Sequence, residues 1–413
     1  MEKISRIIDL LQCRMEEVLD SNQPREQAGF RKYYSTRDHL QALNQVIEKC
    51  HEFNQTLCVG FVDYEKAFDS IEHFAIFDTL VKIGIHPTYV KILQNIYQEA
   101  TARIHLDDHI SNAFAIERGV RQGDPISPKL FTAAIEEVFQ KSNLQAGIEV
   151  EGEQLTDLRF ADDVALCTRD KAILESHFNT LSNESKKIGL KIHKGKTKYM
   201  TNYDSPGDIQ IEENIIEEVS EYKYLGQIVS TNEGLDLELA ARIRAAWSCF
   251  GRHREIFMDK EMPMCLKRKV FEQCIIPSLT YGCETWPLKI ETIQKMRSVQ
   301  RAMERKIIGV SLLDKINHSI IREQTKFKDV VRHILKMKWS WAGHIGRISD
   351  NRWTKKCTRW GPTGKRRRGR PRLRWANDQV RYKEKWPSLT DDRDEWRELA
   401  EGYVQQWTDM ASR

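Results

Sequence analysis

The sequence lacks a cysteine pattern and a long apolar run, and each absence excludes a class of protein. Its nine cysteines are scattered, odd in number and never in a C-x-x-C pair. A disulfide framework and a zinc site are therefore not expected, and a reducing compartment is indicated. No stretch approaches eighteen consecutive apolar residues, so no membrane span is expected. The first twenty residues contain acids and no continuous apolar core, which excludes a signal peptide.

The charge is small overall but unevenly placed along the 413 residues. The chain carries +5, and its 40% hydrophobic and 30% charged composition is typical of globular proteins. Residues 351–382 contain twelve basic side chains and one acid, Asp378, so this segment carries +11 and the rest of the chain −6. This asymmetry predicts an acidic catalytic body with a basic arm that faces nucleic acid.

Apolar spacing predicts a mixed α/β portion followed by an almost entirely helical one. The acidic piece Ser230–Glu238 separates them and is the best candidate for a domain boundary. Helical periodicity is expected over 1–20, 35–53, 71–83, 87–97, 128–140 and 172–188. Strand-like runs are expected over 57–62, 102–106, 113–116, 158–160, 164–166, 199–201 and 222–229.

Three acids stand where predicted strands end, at Asp63, Asp162 and Asp163. Nucleotidyl transfer needs two divalent cations about 4 Å apart, and carboxylates at the ends of adjacent strands are rigid enough to hold them. An Asp-Asp pair is also common in solvated turns. Here Phe160 and Val164 flank the pair, which favours a buried hairpin and a catalytic role.

The motifs around these acids resemble those of reverse transcriptases. Phe61–Asp69 and Phe160–Asp163 (F-A-D-D) are similar to the two metal-binding motifs of that family. Arg118–Phe131, with the sequence R-G-V-R-Q-G-D-P-I-S-P-K-L-F, lies between them and resembles the template-and-nucleotide motif. Gly189–Lys198 and Tyr222–Gly226 follow and resemble the last two palm motifs. Five motifs in the family's order, over about 170 residues, make the resemblance specific.

The wording of the motifs is similar to that of the non-LTR, LINE-type branch. The tail, with W-A-G-H-I-G-R at 341–347, G-R-P at 369–371 and then Arg374-Trp375, resembles the RTE-type clade. The resemblance implies an α/β fold, the α+β palm of a right-hand polymerase with helical additions. Its implied domains are partial fingers over 1–56, the palm over 57–230, a helical thumb over 231–310 and a basic helical C-terminal extension over 311–413.

The resemblance implies an RNA-directed DNA polymerase that uses two Mg²⁺ ions, for which Mn²⁺ can substitute. Its expected partners are an RNA template, a DNA primer and deoxynucleoside triphosphates. Asp63 and Asp162 would be the principal metal ligands, with Asp163 in support. Phe68 would stand against the sugar and exclude a 2′-hydroxyl by collision; the alternative is a core aromatic.

Other implied roles leave alternatives open. Gln122 and Gly123 would contact the incoming nucleotide, although a simple turn before the next helix is compatible with the same residues. Lys196 would reach the pyrophosphate and could act as its general acid, with Lys194 and Lys198 as rivals. The remaining implied site is a primer grip, a hairpin that would seat the primer terminus and is formed by Tyr224, Leu225 and Gly226. The alternative is a strand that closes the sheet.

Basic side chains later in the chain predict contacts with phosphates, although solvated helix faces have the same composition. The arm is expected to bind nucleic acid, to direct nuclear import, or both, and its Arg-Gly-Arg-Pro core also resembles arms that bind the minor groove of A·T tracts. An intracellular location, in the nucleus or the cytoplasm, is therefore expected. The arm's candidate residues are Lys365, Arg366, Arg367, Arg368, Arg370, Arg372 and Arg374.

Two segments of the family are expected to be missing. A basic fingers segment normally precedes the stretch that resembles Gln27–Phe30, and elements of this clade also encode an endonuclease domain. We therefore expect a truncated gene copy or a partial gene model. Two hypotheses follow: an RNA-directed DNA polymerase with intact catalytic residues, or a catalytically dead remnant that binds nucleic acid through its thumb and arm.

Overall fold

The computed structural model describes residues 2–107, 109–204, 206–231, 235–369 and 372–412. The chain divides into two units, each assembled from three segments. Unit 1 consists of Met1–His39, Phe53–Leu225 and Asn351–Gly364. Unit 2 consists of Leu40–Glu52, Gly226–Asp350 and Lys365–Arg413. Among the described residues, no helix is both long enough and apolar enough to cross a bilayer.

The strands are short, and all but the last belong to unit 1. They are β1 (Cys58–Val62), β2 (Thr101–Ala102), β3 (His105–Leu106), β4 (His109–Ile110), β5 (Phe114–Ala115), β6 (Ile148–Val150), β7 (Glu153–Leu155), β8 (Asp157–Phe160), β9 (Asp163–Thr168), β10 (Lys198–Thr201), β11 (Ile209–Ile211), β12 (Asn214–Glu218), β13 (Glu221–Tyr224) and β14 (Gln227–Ser230).

Helices occur throughout the chain and account for nearly all regular structure after residue 230. They are α1 (Glu2–Ser21), α2 (Thr36–Glu52), α3 (Ala67–Ser70), α4 (His73–Lys82), α5 (Pro87–Gln98), α6 (Ser127–Ser142), α7 (Lys171–Lys186), α8 (Asp236–Arg252), α9 (Arg254–Met258), α10 (Met264–Val270), α11 (Ile276–Thr280), α12 (Ile290–Ile308), α13 (His318–Thr325), α14 (Val330–Arg347), α15 (Trp353–Arg359), α16 (Asn377–Tyr382) and α17 (Arg393–Ser412). A π-helical turn, Phe271–Ile275, joins α10 to α11, and 3₁₀ turns occur at Cys283–Thr285 and Trp386–Leu389.

Unit 1 is built on a six-stranded sheet with the order β11-β12-β10-β1-β9-β8. The central strand β1 pairs antiparallel with both β9 and β10, and every one of its residues is buried. Burial on both faces explains why its sequence, C-V-G-F-V, is apolar without alternation. Gly60 is required there, because a Cβ atom would lie 2.5 Å from the Phe178 ring of α7.

The helices of unit 1 pack their apolar stripes on this sheet and on one another. In α1 the residues at helical spacing, Ile8, Leu11, Met15 and Leu19, are all buried in the same core as α4, α6 and α7. The amphipathic pattern therefore identified a real packing face.

Unit 2 is helical and has an aromatic core of its own. Four tryptophans are among its fully buried large side chains, and a fifth, Trp396, is 3% exposed. The four are Trp286, Trp339, Trp375 and Trp407. At the centre, the buried Lys338 ammonium lies 3.0 Å from Asp378 Oδ1 and donates to the carbonyl of Trp286 at 2.7 Å. A buried charge needs such a partner, because desolvation would otherwise dominate.

Most predicted elements are confirmed within one or two residues, including α2, β1, α5, α6, α7 and β10. The predicted strand over 222–229 is wrong, because Leu225 (φ 45°) and Gly226 (φ 80°) both adopt left-handed conformations that divide it into β13 and β14. The pairs β6–β7 and β11–β12 were not predicted. The domain limits at 56, 230 and 310 stay predictions.

Candidate active site

The three aspartates meet at one edge of the sheet of unit 1. Asp63 directly follows β1. Ala161 and Asp162 form the two-residue turn between β8 and β9, and Asp163 is the first residue of β9. The β1–β9 ladder ends with Val62 opposite Val164. The next position of this antiparallel register places Asp63 opposite Asp163, since paired residues run in opposite directions.

Burial and mutual repulsion disfavour the charged forms of two of these carboxylates, Asp162 and Asp163. Burial, together with the charges of Asp162 and Asp63, raises the pKa of the Asp163 carboxyl to about 6. The pKa of Asp162 is also raised, first by burial and then by Asp63, against the effect of a backbone hydrogen bond. Partly buried acids that repel one another are stabilised by a cation.

Asp63 has the atom best suited to such a cation. Its Oδ1 is buried and accepts no hydrogen bond from the described residues, and the Lys196 ammonium lies 3.7 Å away. Among the described residues, no group of three or more His, Cys, Asp or Glu side chains is arranged to hold a metal ion alone. Mg²⁺ usually takes only one or two carboxylates and completes its shell with water and substrate phosphates, so the donor set fits this ion.

The segment that resembles the fourth palm motif borders Asp63 directly. The backbone N–H of His193 donates to the carbonyl of Asp63 at 2.7 Å, and the N–H of Asp63 donates to Thr197 Oγ1 at 3.3 Å. These bonds bring Lys196 to the carboxylate.

The two rival lysines point to other acids. Lys194 pairs with Glu212 at 3.2 Å and Lys198 with Glu217 at 2.6 Å. Sequence alone could not separate three lysines at alternate positions. Of the three, Lys196 is the one beside the aspartates, and its part in pyrophosphate release stays a prediction.

Phe68 is half-buried and forms part of an aromatic group. Its ring stacks on Phe131 with centroids 4.3 Å apart and meets the ring of Phe30 edge-on at 6.1 Å. Phe131 is fully buried, whereas Phe30 is 47% exposed. Phe68 therefore joins the core to the surface, and the two interpretations of this residue, sugar gate and core aromatic, are compatible.

The motif around Gln122 lies beside Phe68 in the fold. Gln122 Nε2 donates to Asp69 Oδ1 at 3.0 Å, and the backbone N–H of Val120 donates to the carbonyl of Phe68 at 2.7 Å. Gly123 has a φ of 94°, and a Cβ atom there would meet nothing within 4 Å. Its glycine is thus needed for backbone conformation, with open space beside it.

The predicted primer-grip residues have separate surroundings. Tyr224 is buried, and its hydroxyl donates to the carbonyl of Leu158 at 3.1 Å, while Leu225 is 9% exposed. In unit 2, the carbonyl of Gly226 accepts from Arg242 at 2.9 Å. Their contact with a primer stays a prediction.

Tyr222 was not singled out from the sequence, although it adjoins the aspartates. Its ring stacks on Phe61 at 4.2 Å. Burial, together with the charges of Asp63 and Asp163, raises the pKa of Tyr222 to about 12. Its alternation with Tyr224 on one short strand was the available signal.

Some of the arm's charges have partners within unit 2. Arg366 and Arg374 both form salt bridges with Glu52, and the backbone N–H of Arg367 donates to the carbonyl of the same residue at 3.0 Å. Lys365, Arg368 and Arg372 are exposed. Arg370 and Pro371 lie outside the described residues.

The family model for reverse transcriptase (RNA-dependent DNA polymerase) matches residues 3–229. A transposon-derived protein of Caenorhabditis elegans is 29% identical over 274 residues, which cover 60% of this chain and 96% of that protein. The RNA-directed DNA polymerase of the Drosophila melanogaster transposon X-element is 20% identical over 369 residues, 85% of this chain and 40% of the polymerase. Among solved structures, apo telomerase of Candida tropicalis aligns with a TM-score of 0.45 at 12% identity, over 82% of this chain and 54% of that one.

The match over 3–229 covers more than half of the chain and contains all five motifs. The chain therefore belongs to the reverse transcriptase family, and its unit 1 contains the α/β palm of that family. Both curated relatives named above come from transposons, and the chain spans 40% of the length of the X-element polymerase.

Proposed function

We propose that this chain supplies the palm and thumb of an RNA-directed DNA polymerase that extends a primer 3′-hydroxyl with deoxynucleotides. The observation that carries the proposal is the register that places Asp63 opposite Asp163 with Asp162 beside them. Carboxylates that are fixed at the ends of paired strands need little rearrangement during the reaction. Such preorganisation of charged groups is the main source of electrostatic catalysis.

Asp63, Asp162 and Asp163 would hold two Mg²⁺ ions, or Mn²⁺ in their place. When bound, the ions would activate the primer hydroxyl and neutralise the charge on the leaving pyrophosphate. Lys196, 64% exposed and 3.7 Å from Asp63, is free enough to turn toward that leaving group. Phe68 would limit the space beside the sugar, and Gln122 would orient the nucleotide next to the open backbone at Gly123.

The remaining proposals concern nucleic acid. An RNA template and a DNA primer would lie across the exposed basic side chains of unit 2, which include Arg244, Arg252 and Arg254 on α8 and α9. By contrast, Lys267 is buried and Arg268 donates to the carbonyl of Thr325 at 3.2 Å. An intracellular location, in the nucleus or cytoplasm, belongs to the same proposal.

A second candidate is a nucleic-acid-binding protein without catalysis. The observation that favours it is the set of exposed basic side chains in unit 2, which can bind phosphates without any metal ion. This candidate predicts duplex binding that does not depend on the aspartates and no primer extension with either metal.

Primer extension on an RNA template with Mg²⁺ or Mn²⁺ separates the two. Asp162→Asn is expected to lower the extension rate by at least about 10²–10³, while binding of primer–template persists because phosphate contacts supply the affinity. Asp78→Asn, at an exposed position of α4, is the matched control and should extend at the parent rate. Equal rates for Asp162→Asn and the parent would contradict the proposal.

A further inference from the structure

The turn that carries Asp162 and Asp163 passes through one residue in a disfavoured conformation. Ala161 has a φ of 58° and is 3% exposed. The left-handed region is unfavourable for a residue with a Cβ atom, which is why glycine or asparagine usually occupies it. The direction in which the two acids leave β8 therefore depends on whatever holds Ala161.

Gln27 holds both polar backbone groups of that residue. Its Oε1 accepts the N–H of Ala161 at 2.8 Å and the N–H of Gly29 at 2.9 Å. Its Nε2 lies 3.4 Å from the carbonyl of Ala161, to which it donates. The Gln27 side chain is completely buried, so water cannot replace these bonds.

The segment around Gln27 is itself fixed to β8. The N–H of Arg159 donates to the carbonyl of Glu26 at 2.8 Å, and the N–H of Ala28 donates to the carbonyl of Arg159 at 2.8 Å. His39 Nε2 forms a second hydrogen bond with the carbonyl of Arg159, at 2.8 Å. Gln27 is thus presented to the turn by a backbone that pairs with the strand leading into it.

Gly29 provides the close approach that this arrangement needs. A Cβ atom at Gly29 would lie 2.4 Å from the backbone nitrogen of Ala161 and 2.9 Å from Gln27 Oε1. Any side chain at this position would therefore displace either the turn or the glutamine. The motif Gln27-Ala28-Gly29 is explained by contact with the aspartate turn.

We propose that Gln27 is a positioning residue for the catalytic carboxylates, which sets the direction of Asp162 and Asp163 by holding Ala161 in its left-handed conformation. The inference rests on the proposed function, since positioning matters only where the acids act. A misplacement of about 1 Å can cost about 10²-fold in rate. Loss of the Gln27 bonds should therefore lower the rate of extension and leave primer–template binding unchanged.

Hydrogen exchange of the full 413-residue chain tests the structural step without any catalysis. In the parent protein the Ala161 amide should be protected, and free exchange there would overturn the proposal. Gln27→Met, of similar length but without an acceptor, should exchange about tenfold faster at residues 160–163, the factor that corresponds to one net hydrogen bond. Gln27→Glu keeps the acceptor oxygen and should restore most of the protection.

Gln23→Met is the matched control, because Gln23 is a buried glutamine of the same segment whose Oε1 accepts no hydrogen bond from the described residues. Equal loss of turn protection in the Gln23 and Gln27 variants would show general loosening and overturn the proposal. If Gln27→Met does not fold, the proposal is tested by hydrogen exchange at the Ala161 amide of the parent and at the same turn of Gln27→Glu.

The kinetic step then separates this inference from the proposed function. For Gln27→Met, kcat for extension should fall by about 10²-fold with KM for primer–template within twofold of the parent, and Gln27→Glu should recover part of the loss. The positioning role would be overturned if the parent extends primers normally and Gln27→Met, despite faster hydrogen exchange in its turn, extends them at the same rate. A parent that never extends would contradict the proposed function instead, and the exchange data would still decide whether Gln27 holds the turn.

Discussion

Trp339 of α14 and Trp396 of α17 lie face to face, with ring centroids 3.9 Å apart and planes 2° from parallel. Each indole N–H donates to the backbone carbonyl of the other residue, at 2.8 Å from Trp339 and 3.1 Å from Trp396. Burying an indole normally leaves one polar N–H to satisfy, and this reciprocal pair satisfies both. The pair fastens α17 to α14 inside unit 2.

Gly343 of the W-A-G-H-I-G-R motif makes this packing possible, which leads to the first prediction. A Cβ atom at Gly343 would lie 2.2 Å from Trp396 Nε1. Gly343→Ala should therefore lower the free energy of unfolding by about 1–3 kcal/mol, measured by denaturant titration followed by tryptophan fluorescence. In the matched control Gly251→Ala, the helical Cβ meets nothing within 4 Å, and the protein should be unchanged or more stable by up to about 1 kcal/mol. Equal stability of Gly343→Ala and the parent would contradict the packing role.

Much of the site could be predicted from local sequence, because each catalytic aspartate lies next to an apolar run that is typical of a strand. The apolar run before Asp63 and the two runs around Asp162 and Asp163 identified strand ends, and the sheet register brought those ends together. This works because a buried central strand has few alternative registers.

The partners of those parts could not be predicted. Gln27 lies 134 residues from Ala161 in sequence, and no periodicity reports a contact between a loop and a distant turn. The choice of Lys196 over its neighbours likewise depends on two acids of the unpredicted β11–β12 hairpin, Glu212 in its turn and Glu217 on β12. Long-range side-chain pairing requires the topology.

The second prediction concerns Phe68 as the sugar gate. Phe68→Val should open space beside the sugar and raise ribonucleotide incorporation relative to deoxynucleotide by roughly 10–200-fold, the range for removing bulk from a tight pocket. Single-nucleotide extension with matched dNTP and rNTP measures the ratio. Phe74→Val, at an exposed phenylalanine of α4, should keep the parent ratio. A folded, active Phe68→Val enzyme with unaltered sugar selectivity would leave Phe68 as a core aromatic stacked on Phe131.

The third prediction is a pH dependence of stability that originates at Glu48 in unit 2. Burial raises the pKa of Glu48 to about 7, although the N–H of Trp375 donates to its Oε2 at 2.7 Å and Lys49, Lys338 and Arg374 oppose the shift. Because the folded pKa is above the unfolded value of 4.5, the stabilising contribution is complete below pH 4.5 and is lost as pH rises through 7.

Glu48→Gln keeps an acceptor for Trp375 and removes the titration. Between pH 5 and 8 the free energy of unfolding of the parent should fall relative to that of the variant by about 1–3 kcal/mol, at about 1.4 kcal/mol per pKa unit. Urea titrations at several pH values measure the difference. Glu398→Gln, at an exposed position of α17, serves as the control and should follow the parent. Parallel pH profiles for Glu48→Gln and the parent would show that Glu48 does not titrate in this range.

The fourth prediction separates the free charges of the basic arm from its paired ones. Each phosphate contact steepens the plot of log K against log salt by about 0.9 for duplex DNA. Lys365 and Arg368 are exposed and form no salt bridge among the described residues, so changing both to Gln should flatten the slope by up to about 1.8 if each contacts a phosphate.

Arg374 instead pairs with Glu52 and is about two-thirds buried. Arg374→Gln should therefore change the slope less and should lower the stability of unit 2, because Glu52 loses a partner. Fluorescence anisotropy with a labelled duplex at several salt concentrations measures the slopes, and thermal unfolding measures the stability. A slope that responds to Arg374→Gln as strongly as to the double change would mean that the salt bridge to Glu52 opens when nucleic acid binds.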